Sequence, residues 1–125
     1  MDIQVNKHQL ERVVIKWLDK HYGDLTLRKH EDYPNDTFFI DSENQILLQF
    51  STPYWEVFVS DNYIWSHLVN FFHLHNDDVK SIIPVWLKET YKMDLFNVRV
   101  KKFEGDFVYP KDDKSQAPKG RIKFI

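Results

Sequence analysis

Cysteine is absent from the 125 residues, so neither a disulfide nor a thiolate metal site can form, and the redox compartment is left open. Glycine is nearly as scarce: Gly23, Gly105 and Gly120 are the whole complement. A glycine-rich loop that cradles phosphate is thereby close to excluded. No apolar run approaches the length that spans a bilayer, and residues 1 to 8 have neither the basic start nor the apolar stretch of a signal peptide. The expected location is the cytosol, that of the producing cell or of a host, with no membrane partner. Motifs for nucleophilic or paired-carboxylate catalysis are missing too. The loop His30-Glu31-Asp32 offers titratable groups with nothing beside them to use their protons, so no enzymatic activity is expected and no cofactor is implied.

Metal ligation is tested by the cluster His67, His73 and His75 with Asp77 and Asp78, since imidazole and carboxylate suit zinc or a similar ion. The spacing is wrong. On a helix His73 and His75 point about 200° apart, and His67 faces neither. Surface histidines beside a helix-capping acidic pair account for the cluster, and no metal is expected.

What the chain has in quantity is aromatic surface. Phe, Tyr and Trp make up 16% of a chain of single-domain length, which gives large buried areas per residue and argues against disorder. The formal net charge of −2 hides an asymmetry. Residues 1 to 98 carry nine Lys/Arg against fifteen Asp/Glu, whereas residues 99 to 125 carry eight against four. Residues coded by AT-rich codons (Phe, Tyr, Met, Ile, Asn, Lys) number 47, and those coded by GC-rich codons (Gly, Ala, Arg, Pro) number 13. Together with small size and no cysteine, this usage resembles that of many small phage or viral accessory proteins. The resemblance is one of composition and carries no residue roles.

Periodicity gives the elements. Residues His8 to Tyr22 repeat Leu10, Val13, Val14, Trp17 and Leu18 at helical spacing, with Asn6 as cap and Gly23 as a left-handed stop. After a short extended piece at Leu25-Thr26-Leu27 and a polar loop over Lys29 to Asp36, strands are expected at Thr37 to Asp41, Gln45 to Ser51 and Trp55 to Ser60, joined as an antiparallel meander. A central helix over Asp61 to His75, capped by Asp61, presents the stripes Ile64-Leu68-Phe71 and Trp65-Val69-Phe72. A third helix, capped by Asn76 or Asp77, runs to Met93 with a kink or restart at Pro84. Asp94 to Phe103 returns to alternation as a fourth strand. The fold class is therefore α+β: three to four antiparallel strands packed on three helices in the order α-β-β-β-α-α-β. Residues 1–103 form the domain, and 104–125 form a flexible basic C-terminal extension.

Two contact surfaces follow. Alternation points Phe38, Ile40, Ile46, Leu48, Phe50, Trp55, Val57 and Val59 at the helices, and puts Phe39, Leu47 and Phe58 on the opposite, nominally exposed sheet face. That apolar patch, with the alternating segment Arg121, Ile122, Lys123, Phe124 and Ile125 as a strand able to add to a sheet edge, marks a protein-binding or self-associating molecule. The alternative is single-stranded nucleic-acid binding. There, Arg99, Lys101, Lys102, Lys111 and Lys114 would meet phosphates while Phe103 and Tyr109 stack on bases.

Overall fold

The computed structural model describes residues 6–109, and every structural statement below concerns those residues. Helix α1 (Lys7–Tyr22) starts from a reciprocal cap: Asn6 Oδ1 accepts the Gln9 N–H at 2.8 Å, and Gln9 Oε1 accepts the Asn6 N–H at 3.1 Å. It buries Val14, Ile15 and Leu18, while Val13 stays half exposed, so the face is turned slightly from the one expected. Gly23 ends α1 in the right-handed region (φ −75°) rather than the left-handed one. Close approach is what requires glycine here, because a Cβ would lie 2.3 Å from the Asp19 carbonyl oxygen.

Five strands follow in one sheet whose spatial order matches the chain: β1 (Thr26–His30), β2 (Tyr33–Ile40), β3 (Ile46–Ser51), β4 (Glu56–Ser60) and β5 (Arg99–Phe103). The first four make an antiparallel meander. β5 returns parallel to β4, because the connection between them is a long helical crossover. The fold is thus α+β in the order α-β-β-β-β-α-α-β. One strand more than expected is present: most of the supposed polar loop over 29 to 36 belongs to a β1–β2 hairpin that turns at Glu31-Asp32.

From β4 the chain passes directly into a π-helical turn, Asp61–Trp65, closed by the Ser66 N–H on the Asp61 carbonyl, and then into α2 (Ser66–Phe72). Ser60 rather than Asp61 supplies the cap, its Oγ accepting the Tyr63 N–H at 3.2 Å. Helix α3 (Asn76–Tyr91) runs through Pro84 without a restart. Its N-cap is His75, whose N–H is taken by Asp78 Oδ2 at 3.0 Å, and Asn76 accepts Trp65 Nε1–H at 2.9 Å instead.

The sheet carries a core on each face. The helix side gathers Val14, Ile15, Leu18, Ile64, Leu68, Ile83, Trp86 and Leu87 over Phe39, Leu48, Phe50, Val57, Val59 and Val100. The outer side gathers Phe38, Ile40, Ile46, Phe58 and Phe103, closed over by Tyr33, Phe107 and Tyr109. The lid is pinned. Phe107 O accepts the Ile46 N–H at 2.8 Å, the Tyr109 N–H reaches Asn44 O at 2.7 Å, and the Tyr109 hydroxyl donates to Lys29 O at 3.0 Å. Phe107 and Tyr109, assigned above to the basic extension, therefore belong to the folded body.

The register of β2 on β3 sets Phe39 on the helix side and Phe38 and Ile40 on the outer side, the reverse of what alternation predicted, and a β-bulge does the same to Ile46 and Leu47. Phe39 pairs with Leu48 and Ile40 with Ile46, which leaves Leu47 as an extra residue on β3. Leu47 and Leu48 both enter the helix-side core, and Ile46 is sent to the outer one.

Candidate functional site

The patch expected from Phe39, Leu47 and Phe58 does not exist as a surface. Phe39 and Leu47 are completely buried under the helices, and Phe58 is buried in the outer core with 6% exposure. Arg121, Ile122, Lys123, Phe124 and Ile125 lie outside the described residues, as do Lys111 and Lys114. The nucleic-acid set is rearranged as well. Phe103 is fully buried and so unavailable for base stacking, and Tyr109 is packed in the outer-core lid. Arg99 and Lys101 both close on Glu56, at 2.9 and 3.3 Å, and Lys102 is half buried. His30 is buried between Tyr33 and Tyr109, with Nδ1 accepting the Asp32 N–H at 3.1 Å.

A different site assembles from cross-strand register. On the outer face the pairings Asp36↔Ser51, Ser51↔Glu56 and Glu56↔Arg99 lay a polar row across four strands. The next row is Phe38, Gln49, Phe58 and Lys101. These two rows border a cleft of about 300 Å³ whose walls are Asp36, Gln49, Ser51, Glu56, Phe58 and Lys101, with Tyr54 at the rim. Inside it Gln49 Nε2 donates to Asp36 Oδ2 at 2.8 Å. That bond fixes the amide orientation, since the flipped amide would set its oxygen against a carboxylate. The Gln49 Oε1 is buried without a hydrogen-bond partner.

The rim extends into two turns. Thr52-Pro53-Tyr54-Trp55 closes with the Trp55 N–H on Thr52 O at 3.2 Å, with proline where a turn favours it. Trp55 then adopts φ 52°, a left-handed conformation that glycine or asparagine would enter more cheaply. The neighbouring turn Leu95-Phe96-Asn97-Val98 is closed by the Val98 N–H on Leu95 O at 3.0 Å and has Asn97 at φ 58°. The two are cross-linked. Trp55 Nε1–H donates to Phe96 O at 2.8 Å, Trp55 O accepts the Arg99 N–H at 3.1 Å, and the Trp55 ring meets Phe50 edge-on at 5.3 Å. Three large rings are thereby held in solvent: Tyr54 is 68% exposed, Trp55 38% and Phe96 78%.

Comparison with protein-family profiles, with curated proteins and with solved structures finds no match. The site thus rests on its own geometry. Among the described residues, no group of three or more His, Asp or Glu could hold a metal ion, and no helix is long and apolar enough to cross a membrane. A larger opening of about 480 Å³ runs along α2 past Ser66, His67, Asn70 and Phe71. None of those four side chains is buried, so it offers a ligand no desolvated polar group. Phe71, the last residue of the expected stripe Ile64-Leu68-Phe71, is 68% exposed there, whereas Ile64 and Leu68 are buried. Sequence reading missed Tyr54 and Phe96 and assigned Trp55 to the helix-facing side, where its ring meets Phe50 but stays partly exposed; the signal was a Pro-aromatic-aromatic turn lacking the glycine or asparagine its backbone favours.

Proposed function

We propose that this chain is a non-enzymatic binding protein whose partner is another protein, met at the aromatic end formed by Tyr54, Trp55 and Phe96. The observation that carries the reading is the exposure of these three rings on two cross-linked turns. An exposed Tyr and Trp on rigid backbone supply large contact area at small entropic cost, the profile of interface anchors. A tryptophan kept at positive φ is a costly choice at an exposed turn, and such costs concentrate at functional positions. Asp36 and Lys101, in the cleft that Tyr54 borders, provide a polar rim, as interfaces have. Both carboxylates of the cleft are engaged by neighbours, Asp36 by Gln49 and Glu56 by Arg99 and Lys101, which suits recognition better than acid–base turnover.

The test is parallel affinity capture with the wild type and with Tyr54→Ser/Phe96→Ser, followed by purification and direct titration of whatever protein differs. A protein held by the wild type, released by the variant and bound again when pure supports the reading. Identical captured sets from the two baits would refute it.

A further inference from the structure

Glu56 is buried where β4 leaves the aromatic turn, and two cations close on it: Arg99 on Oε1 at 2.9 Å and Lys101 on Oε2 at 3.3 Å. A carboxylate taken out of water needs such partners. One anion against two cations leaves a formal surplus of one positive charge, and the cations are what solvent meets. The Glu56 side chain is 9% exposed, that of Arg99 65%. Arg99 is also fixed to the aromatic end. Its backbone N–H is held by Trp55 O at 3.1 Å, and its Nη2 reaches Tyr54 O at 3.3 Å as well as Glu56. Among the described residues its Nε and Nη1 have no acceptor, so most of the guanidinium N–H groups stay open beside Tyr54.

From this placement we infer that the protein partner presents a carboxylate beside an apolar group, the carboxylate resting on the open donors of Arg99 and the apolar group packing on Tyr54. A monoanion matches the single surplus charge, and a guanidinium already positioned by Glu56 and Tyr54 O loses little freedom in receiving it. A partner ammonium or guanidinium would meet two cations and be repelled. Asp36, the cleft's second carboxylate, is too distant to oppose the anion. It stands at the other end of the polar row, three strand spacings or about 14 Å of backbone from Arg99. Charges act over roughly 8 Å in physiological salt.

The inference rests on the protein-contact reading and can fail separately from it. The measurement is an NMR titration of the full chain with phenylacetate and, in parallel, with phenylacetamide, which has the same ring and no charge. Phenylacetate is expected to give saturable shifts centred on the Arg99 Nε–H and on the amides of Tyr54 and Trp55, with phenylacetamide weaker by about tenfold. Arg99→Gln should bring the two probes to within about twofold of each other. Lys101 still pairs Glu56 in that variant, so the buried carboxylate is not left bare. Equal wild-type responses to the two probes, shifts centred elsewhere, or no saturable shift overturn the inference, and the wild-type titration decides this without any variant having to fold. Equal responses together with a protein captured by the wild type and lost from Tyr54→Ser/Phe96→Ser would remove the carboxylate and leave the protein-contact reading standing. A preference for phenylacetate together with identical captured sets would keep the anion site and remove that reading.

Discussion

The hydroxyl of Tyr91 accepts the Leu25 N–H at 3.0 Å and donates to the Tyr22 carbonyl, so one oxygen ties the end of α3 to the α1–β1 connection. Tyr91→Phe leaves a half-buried donor and acceptor unpaired and is expected to cost about 1–3 kcal/mol in urea denaturation. Burial raises the Tyr91 and Tyr22 phenols above the usual tyrosine value. The sign follows from which form the fold prefers. Both are protonated in the native state and ionise more easily when unfolded, so their contribution is complete below about pH 10 and is lost as pH rises through the folded values. The urea midpoint should therefore fall above pH 10, and less steeply in Tyr91→Phe. A midpoint flat to pH 11.5 (roughly) in the wild type contradicts this. Burial is equally decisive at Phe39, which touches the Tyr91 ring edge-on at 5.2 Å and is inaccessible to solvent. Phe39→Ala should cost about 3–5 kcal/mol, a large part of the stability of a domain this size. A cost below about 1 kcal/mol would mean that the residue is not core.

At the scale of elements, the run Phe38-Phe39-Ile40 shows why the strand faces were not legible. Alternation identifies a face only where one side is polar, and here both sides of the sheet are covered, so three apolar residues in succession carry no phase. The bulge at Leu47 then shifts β3 by one residue, which reverses Ile46 relative to Leu48. β1 was legible only as the extended piece at Leu25-Thr26-Leu27, for the opposite reason: Thr26, Leu27, Arg28 and Lys29 are all exposed, as suits an edge strand defended by charge. The helices were legible because each keeps one polar side, though their caps shifted by a residue wherever a neighbour offered a better partner. Helix α3 ends on Lys92 at φ 60°, a conformation that disfavours any residue with a Cβ. Lys92→Gly is expected to stabilise the fold by about 0.5–1 kcal/mol, seen as a higher thermal midpoint. An unchanged or lower midpoint would show that the Lys92 Nζ contact to Glu89 O matters more than backbone strain.

Over the whole molecule, the number of helices and the α+β class were readable from period and length, and the site was not. The candidate surface is made by register between distant strands and by two turns about forty residues apart, and no local pattern in a single sequence encodes that neighbourhood. Charge also redistributes on folding. The local excess of Lys and Arg at the start of the basic segment is drawn onto Glu56, leaving fewer free cations for phosphates. Fluorescence anisotropy with a labelled oligo-dT at low salt should accordingly show no saturable binding, and tight binding that weakens steeply with salt would favour the nucleic-acid reading. The most direct measurement is isothermal titration of the captured, purified partner with the wild type and with Tyr54→Ser/Phe96→Ser, alongside their urea midpoints. The expected result is a loss of at least about 2 kcal/mol in binding, roughly thirtyfold, with stability changed by no more than about 0.5 kcal/mol. Affinities within about twofold of each other at equal stability would contradict the assignment of the aromatic end as the contact surface.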